Sequence, residues 1–187
     1  DNGNPLNIRT ALNTSETLWL LEQSYSNSFA LCSQNFCINE SMTCIRNKMN
    51  NISETEYSFN QTMVVESTDL TTTYLGKFST KDPKSMEVTE ASGIETPKLW
   101  TLQYQDPENG PCMVFFIAEL KGKIDDDVGK CEMYHRGKPR GSYLPPNCQT
   151  FFENRCDKTK LRKPYRDTCQ EASESTDTTI VNRIASR

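Results

Sequence analysis

The stretch "PCMVFFIAELKGKIDDDVGKCEMYHRG" (residues 111–137) holds two apolar runs, each led by a cysteine. The first is Cys112-Met113-Val114 and the second is Cys131-Glu132-Met133-Tyr134, with the acidic turn Asp125-Asp126-Asp127 between them. Short runs of aromatic, aliphatic and β-branched residues bounded by turn residues read as strands. Neighbours along a strand point to opposite faces. Each leading cysteine therefore looks one way, and the Met or Glu behind it looks the other. Between these strands sits a cation, an apolar molecule or protein alone, and the stretch by itself leaves the three open.

The same pattern recurs along the chain. Candidate strands cover residues 17–25, 42–47, 56–65, 71–79, 85–90, 98–104, 113–120 and 130–135. Turn signals part them at Lys81-Asp82-Pro83, Ser92-Gly93 and Asp106-Pro107-Glu108-Asn109-Gly110-Pro111. Such a meander predicts a mostly β fold that closes into a barrel or sandwich. About eight strands is the size at which a barrel holds one small ligand. Residues 1–14 are polar, with one helical turn expected around residues 7–12. Cys148, Phe151, Phe152 and Cys156 follow Pro145-Pro146-Asn147 at the spacing of one helix face, so a C-terminal helix is expected there, with Asn147 or a neighbour as its cap. Residues 1–172 read as one domain and residues 173–187, rich in Ser and Thr, as a flexible tail.

Composition bounds the function. The chain has 187 residues, a formal net charge of -4, and 35% hydrophobic residues. That charge gives no electrostatic reason to expect nucleic acid or an anionic membrane as partner. The longest apolar run, residues 113–118, is too short to span a bilayer. Eight cysteines and a single histidine, His135, without any Cys-x-x-Cys, favour disulfides over zinc and an oxidising compartment. Sequons at Asn13, Asn39, Asn51 and Asn60 agree with secretion and mark glycosylation sites. The chain starts at Asp1 and is expected to be mature, secreted and extracellular. No nucleophile elbow, metal-binding His pair or phosphate loop is present, so no enzymatic activity, catalytic residue or metal is expected. The Asp125-Asp126-Asp127 run lacks the spacing of a calcium loop and reads as a solvated turn. The basic residues Lys158, Lys160, Arg162, Lys163 and Arg166 read as a solvated surface.

"LWLLEQSYS" (residues 18–26), "MTCIRN" (42–47), "CMVFFIAEL" (112–120), "CEMY" (131–134) and "PPNCQTFFENRC" (145–156) come in an order that resembles the salivary lipocalins of ticks, the histamine-binding-protein family. The resemblance runs from about Leu18 to Cys169. It implies an eight-stranded antiparallel lipocalin barrel, disulfide-rich, with the C-terminal α-helix packed outside. It implies secretion into a feeding wound and capture of a host mediator or lipid, or other interference with host defence. The bonds it implies are Cys44–Cys169, Cys112–Cys148 and Cys131–Cys156, leaving Cys32–Cys37 as a local pair. Eight cysteines allow roughly a hundred pairings, and the residues alone leave them open.

With Cys112 and Cys131 turned out toward that helix, Met113, Phe115, Ile117, Glu132 and Tyr134 point inward, and Val114 and Phe116 lie outside beneath Phe151 and Phe152. The same sorting places Thr43 and Ile45 inside. Amine-binding members of the family carry an Asp after the first motif cysteine, where this chain has Met113, while Glu132-Met133-Tyr134 keeps their second motif. The segment "SNSFALCSQNFCINES" (residues 26–41) also lacks the Trp and acid they use, apart from Glu40 inside a sequon. The expected ligand-binding set is Ile45, Trp100, Leu102, Met113, Phe115, Ile117, Glu132 and Tyr134. The expected ligand is a small hydrophobic molecule, such as a sterol, fatty acid or eicosanoid, and the closer likeness is to the immunomodulatory, sterol-binding branch. A biogenic-amine ligand such as histamine or serotonin is the alternative, as is a surface that binds a host immune-cell receptor or serum protein. Phe115, Ile117, Trp100 and Tyr104 can equally be plain filling of the barrel. No cofactor is expected beyond a bound lipid such as cholesterol or a fatty acid, and the chain is read as a monomer.

Overall fold

The computed structural model describes residues 5–26, 28–33, 36–93, 96–120, 130–140 and 144–171. The Asp125–Asp127 turn and the tail from residue 173 lie outside the described residues, as do the side chains of Cys32, Cys37 and Asn39.

A short helix α1 (Ile8–Leu12) leads into strand β1 (Leu18–Gln23). A hairpin follows, β2 (Ser28–Ser33) and β3 (Phe36–Ser41). Then come β4 (Thr43–Ile52), β5 (Glu56–Val65), β6 (Thr68–Phe78), β7 (Ser85–Glu90), β8 (Lys98–Gln105), β9 (Cys112–Glu119) and β10 (Cys131–Arg136). Helix α2 (Pro146–Arg155) closes the order. Eight strands form a closed antiparallel barrel in the order β1-β10-β9-β8-β7-β6-β5-β4, and β2 and β3 stand apart as a two-stranded sheet. The β2–β3 hairpin falls within a segment expected to be a loop.

Alternation sorts the side chains into two apolar clusters, one on each side of the barrel wall. The interior holds Leu18, Leu20, Ile45, Tyr57, Phe59, Met86, Val88, Trp100, Leu102, Met113, Phe115, Ile117 and Tyr134. Helix α1 plugs one end of it with Ile8, Ala11 and Leu12, each nearly inaccessible. Asn7 caps this helix by accepting from the Thr10 amide at 3.0 Å, and Arg136 Nη2 donates to the Ala11 carbonyl at 3.1 Å. Gly76 is the small residue of the interior. A Cβ there would stand 2.8 Å from Met86 Sδ and 3.5 Å from Tyr57 Cβ.

The second cluster lies outside the wall, under α2, and includes Trp19, Leu21, Cys112, Val114, Cys131, Met133, Cys148 and Phe152. Cys112 bonds Cys148 at the start of α2, and Cys131 bonds Cys156 just past its end. The expected cap is corrected: Pro145 occupies the cap position with no side-chain bond, Pro146 opens the helix, and Asn147 lies within its first turn. A proline without an amide proton suits that turn, where amides lack intrahelical partners.

Two irregularities break the alternation. In β8 the register shifts between Leu102 and Tyr104, which pairs with the outward Val114. Tyr104 therefore leaves the interior that Trp100 and Leu102 share and stacks on Phe151 of α2, ring centroids 5.1 Å apart. In β4 a shift between Thr43 and Arg46, with Cys44 at φ 50°, separates Thr43 from the interior position of Ile45. Thr43 instead lines an outer groove with Cys44, Val64 and Cys169.

The barrel closes weakly between β1 and β4, which share the pairs Leu18–Asn47 and Trp19–Arg46. Beyond those pairs the C-terminal segment fills the gap. Gln23 and Arg162 exchange backbone hydrogen bonds at 3.0 and 2.9 Å, and the Cys44 amide donates to the Pro164 carbonyl at 2.9 Å. Lys163 Nζ reaches the buried Glu22 carboxylate at 2.8 Å, Tyr165 packs edge-on to Trp19, and Cys44 bonds Cys169. The basic segment is thus partly structural, where a merely solvated surface was expected.

Candidate ligand-binding site

At the end of the barrel away from α1 the interior opens into a cavity of about 200 Å³. Alternation on β5 to β8 delivers Phe59 and Gln61, Tyr74, Val88 and Glu90, then Lys98 and Trp100 to its wall. β9 adds Ile117 and Glu119, and Lys130 and Glu132 come from β10 and the residue before it. Tyr25, just past β1, and Thr96 complete it. The aromatic rings form a continuous chain of contacts: Phe59 stacks on Tyr74 at 5.5 Å and meets Trp100 tilted at 5.7 Å, and Trp100 stacks on Tyr134 at 6.1 Å.

Glu132 is the chemical centre of this wall. It is 5% exposed. The Tyr25 hydroxyl donates to its Oε1, and the Tyr134 hydroxyl donates to its Oε2 at 2.8 Å. Burial raises the Glu132 carboxyl above its ordinary value, because the charged form is poorly solvated there; the two tyrosine hydroxyls and Lys98 pull the other way. Both tyrosines are pushed well above 10, first by burial and then by the neighbouring carboxylate. They are therefore fixed as donors. Trp100 contributes a buried indole N–H with no partner among the described residues. The wall thus offers an acceptor, Glu132, beside the Trp100 ring, whose own N–H is closed to solvent. Nearer the opening Glu119 and Lys130 stand 3.8 Å apart.

The expected ligand-binding residues divide. Trp100, Ile117 and Glu132 line the cavity. Ile45, Leu102, Met113, Phe115 and Tyr134 are buried in the interior cluster and do not line it. Met113 is buried in the interior cluster and takes no part in the cavity wall. The residues the sequence reading missed are Tyr25, Phe59, Gln61, Tyr74, Val88 and Glu90, with Thr96, Lys98, Glu119 and Lys130 nearer the opening. Period-two alternation along β5, Tyr57-Phe59-Gln61, is the signal that marks two of them. Of the four sequons, Asn13 and Asn51 are exposed, and Asn60 is half-buried with its Oδ1 accepting from Asn50 and Thr73.

A closed eight-stranded antiparallel barrel, with a ligand-sized cavity inside and a helix packed on its outer wall, defines a lipocalin-type binding fold. A sequence model described as tick histamine binding protein matches residues 1–171, and the chain belongs to that family. Solved structures agree on the fold. Japanin from Rhipicephalus appendiculatus, bound to cholesterol, matches with a TM-score of 0.55 and 12% identity over 83% of this chain and 96% of that one. AM182 in complex with serotonin matches with a TM-score of 0.58 and 15% identity over 91% and 96%. The siderocalin Ex-FABP matches with a TM-score of 0.51 and 12% identity over 83% and 96%. No curated protein sequence matches the chain.

Proposed function

We propose that this protein is a secreted, non-enzymatic scavenger that holds one small amine with an aromatic body in its barrel, and so lowers a host inflammatory mediator during blood feeding. The observation that carries the reading is Glu132, a buried carboxylate set in a wall of Tyr25, Phe59, Tyr74 and Trp100. A buried ammonium needs a partner carboxylate, and aromatic faces add cation–π attraction of roughly 1–2 kcal/mol. Glu90, Glu119 and Glu132 against Lys98 and Lys130 give the lining an acidic balance. The disulfides support an oxidising, extracellular destination.

A small hydrophobic ligand, with a sterol as the best case, is the second reading. The wall of Phe59, Val88, Trp100 and Ile117 favours it, with Glu132 as the acceptor for a sterol hydroxyl. Against it, about 200 Å³ is below the roughly 300–1,000 Å³ of drug-sized sites. A fatty acid or eicosanoid would also set its carboxylate against Glu132.

The test is calorimetry with serotonin and histamine on protein secreted from eukaryotic cells, beside mass spectrometry of any cargo released on denaturation. Saturable amine binding that disappears in Glu132→Gln supports the first reading. Absence of amine binding, with a sterol or fatty acid released in stoichiometric amount, replaces it with the second.

A further inference from the structure

The outer wall carries a second cleft, of about 210 Å³, between β8, β9 and the C-terminal half of α2. Its origin is the bulge in β8. Thr101 pairs with the outward Phe116, and the register shift after Leu102 sends both Gln103 and Tyr104 to that same outer side. Bulges re-aim side chains in this way and are over-represented beside binding sites. Tyr104 stacks on Phe151, and its hydroxyl donates to Asp106 at 3.0 Å, so the aromatic pair is held from both ends. Phe116 and Phe151 form the apolar floor, and Leu6 closes one side.

The polar lining is Lys84, Gln103 and Arg155, with no carboxylate among the lining residues. Neither cation forms an ion pair with a described residue. Asp82, two residues from Lys84 and within reach of its charge, accepts from the Lys84 amide and the Ser85 hydroxyl, while Glu153 and Asp157, on either side of Arg155, accept from Gln149 and Thr159. The barrel cavity has the opposite balance, with three glutamates against two lysines. The barrel lining thus has an acidic excess and the outer cleft a basic one.

We infer that this outer cleft is a second ligand site, for a small anionic amphiphile with a carboxylate head and an apolar body. The head lies between Lys84 and Arg155, where charge-assisted hydrogen bonds form, and the body rests on Phe116 and Phe151. The inference does not depend on what the barrel holds.

The experiment is a titration of the full chain with sodium octanoate at low salt, followed by amide chemical shifts and calorimetry. The expected result is saturable shifts at Gln103, Tyr104, Phe116 and Phe151, with affinity that weakens as salt is added. In the double variant Lys84→Ala and Arg155→Ala the Kd rises about tenfold or more. Arg155 is exposed and Lys84 half-buried, and an unchanged amide spectrum of the unliganded variant verifies its fold. Glu132→Gln and saturating serotonin leave octanoate binding unchanged. Shifts confined to cavity residues such as Phe59 and Ile117, a double variant that binds like the parent, or no saturable binding would each overturn the inference. Failure of the amine reading leaves these outcomes intact, because the response is read at α2 and β8.

Discussion

Tyr25 and Tyr134 grip one carboxylate from two sides, each donating its hydroxyl to a different oxygen of Glu132. The two donors come from the end of β1 and from β10, so the bond pair also ties the first barrel strand to the last. Tyr134→Phe leaves Glu132 Oε2 without its donor in a buried setting. Loss of about 1–3 kcal/mol of stability is expected, measured by urea denaturation. A change near zero would mean that water or another donor replaces the hydroxyl.

The Glu132 carboxyl also sets a pH dependence. Burial raises its folded value above the 4.5 of the free side chain. Between the two values the folded protein keeps a proton that the unfolded chain has released. Its contribution is therefore full below about 4.5 and is lost as pH rises through the raised folded value. Glu132→Gln should remove this slope, so parent and variant diverge in the variant's favour across that window. Stepped-pH denaturation of both proteins reads it, and a parent that gains stability relative to the variant as pH rises there contradicts the assigned direction.

Ligand binding inverts the sign. A cationic amine needs the ionised carboxylate, so its affinity should fall as pH drops through the Glu132 value. Calorimetry with serotonin at stepped pH tests this. Affinity flat through the acid range would remove Glu132 from the contact.

Gly76 predicts an overpacking cost. Its missing side chain is what admits Met86 Sδ and Tyr57. Gly76→Val should cost about 1–3 kcal/mol, visible as a lower Tm. Met86→Ala should cost less in that variant than in the parent, because the clashing sulfur is gone, so a double-mutant cycle should show favourable coupling.

The disulfides differ in reach. Cys44 and Cys169 are 125 residues apart, against 36 for Cys112 and Cys148 and 25 for Cys131 and Cys156. Chain-entropy reasoning makes the longest loop the most stabilising, at about 4–5 kcal/mol. Replacing Cys44 and Cys169 by serine should therefore lower stability most. It should also expose the amides of Gln23 and Cys44 to faster hydrogen exchange, since their acceptors are Arg162 and Pro164. Equal losses for all three pairs would argue against the entropic account.

The parts of this architecture that sequence made legible were those fixed by cysteines. Once Cys112 and Cys131 face the outer helix, alternation sends Phe115, Ile117, Glu132 and Tyr134 inward, and the interior cluster holds all four or their cavity positions. Strands β5 to β7 carry no cysteine, so Phe59, Tyr74 and Glu90 had no reference face. Tyr104 was misplaced because a bulge has no sharp signature in "LWTLQYQ" (residues 99–105). The β2–β3 hairpin was missed because its Ser, Asn and Gln content reads as loop; its pairing is a matter of register, Ser28 with Ser41 through Ser33 with Phe36. Depth along the barrel axis was also invisible. Met113 and Glu132 both point inward, but only one of them reaches the cavity.

The short seam between β1 and β4 has a consequence for biosynthesis. Domains fold from the N-terminus as the chain is made, yet β1 finds its other neighbour only when β10 has been synthesised. The gap beside β4 closes only when residues 162–169 arrive to supply Arg162, Pro164 and Cys169. Until then the nascent barrel is an open, curling sheet with one unsealed edge. Residues 162–169 are thus a zip, and the oxidation of Cys44 and Cys169 together to a disulfide, by an oxidant of the secretory compartment, is the event that locks it.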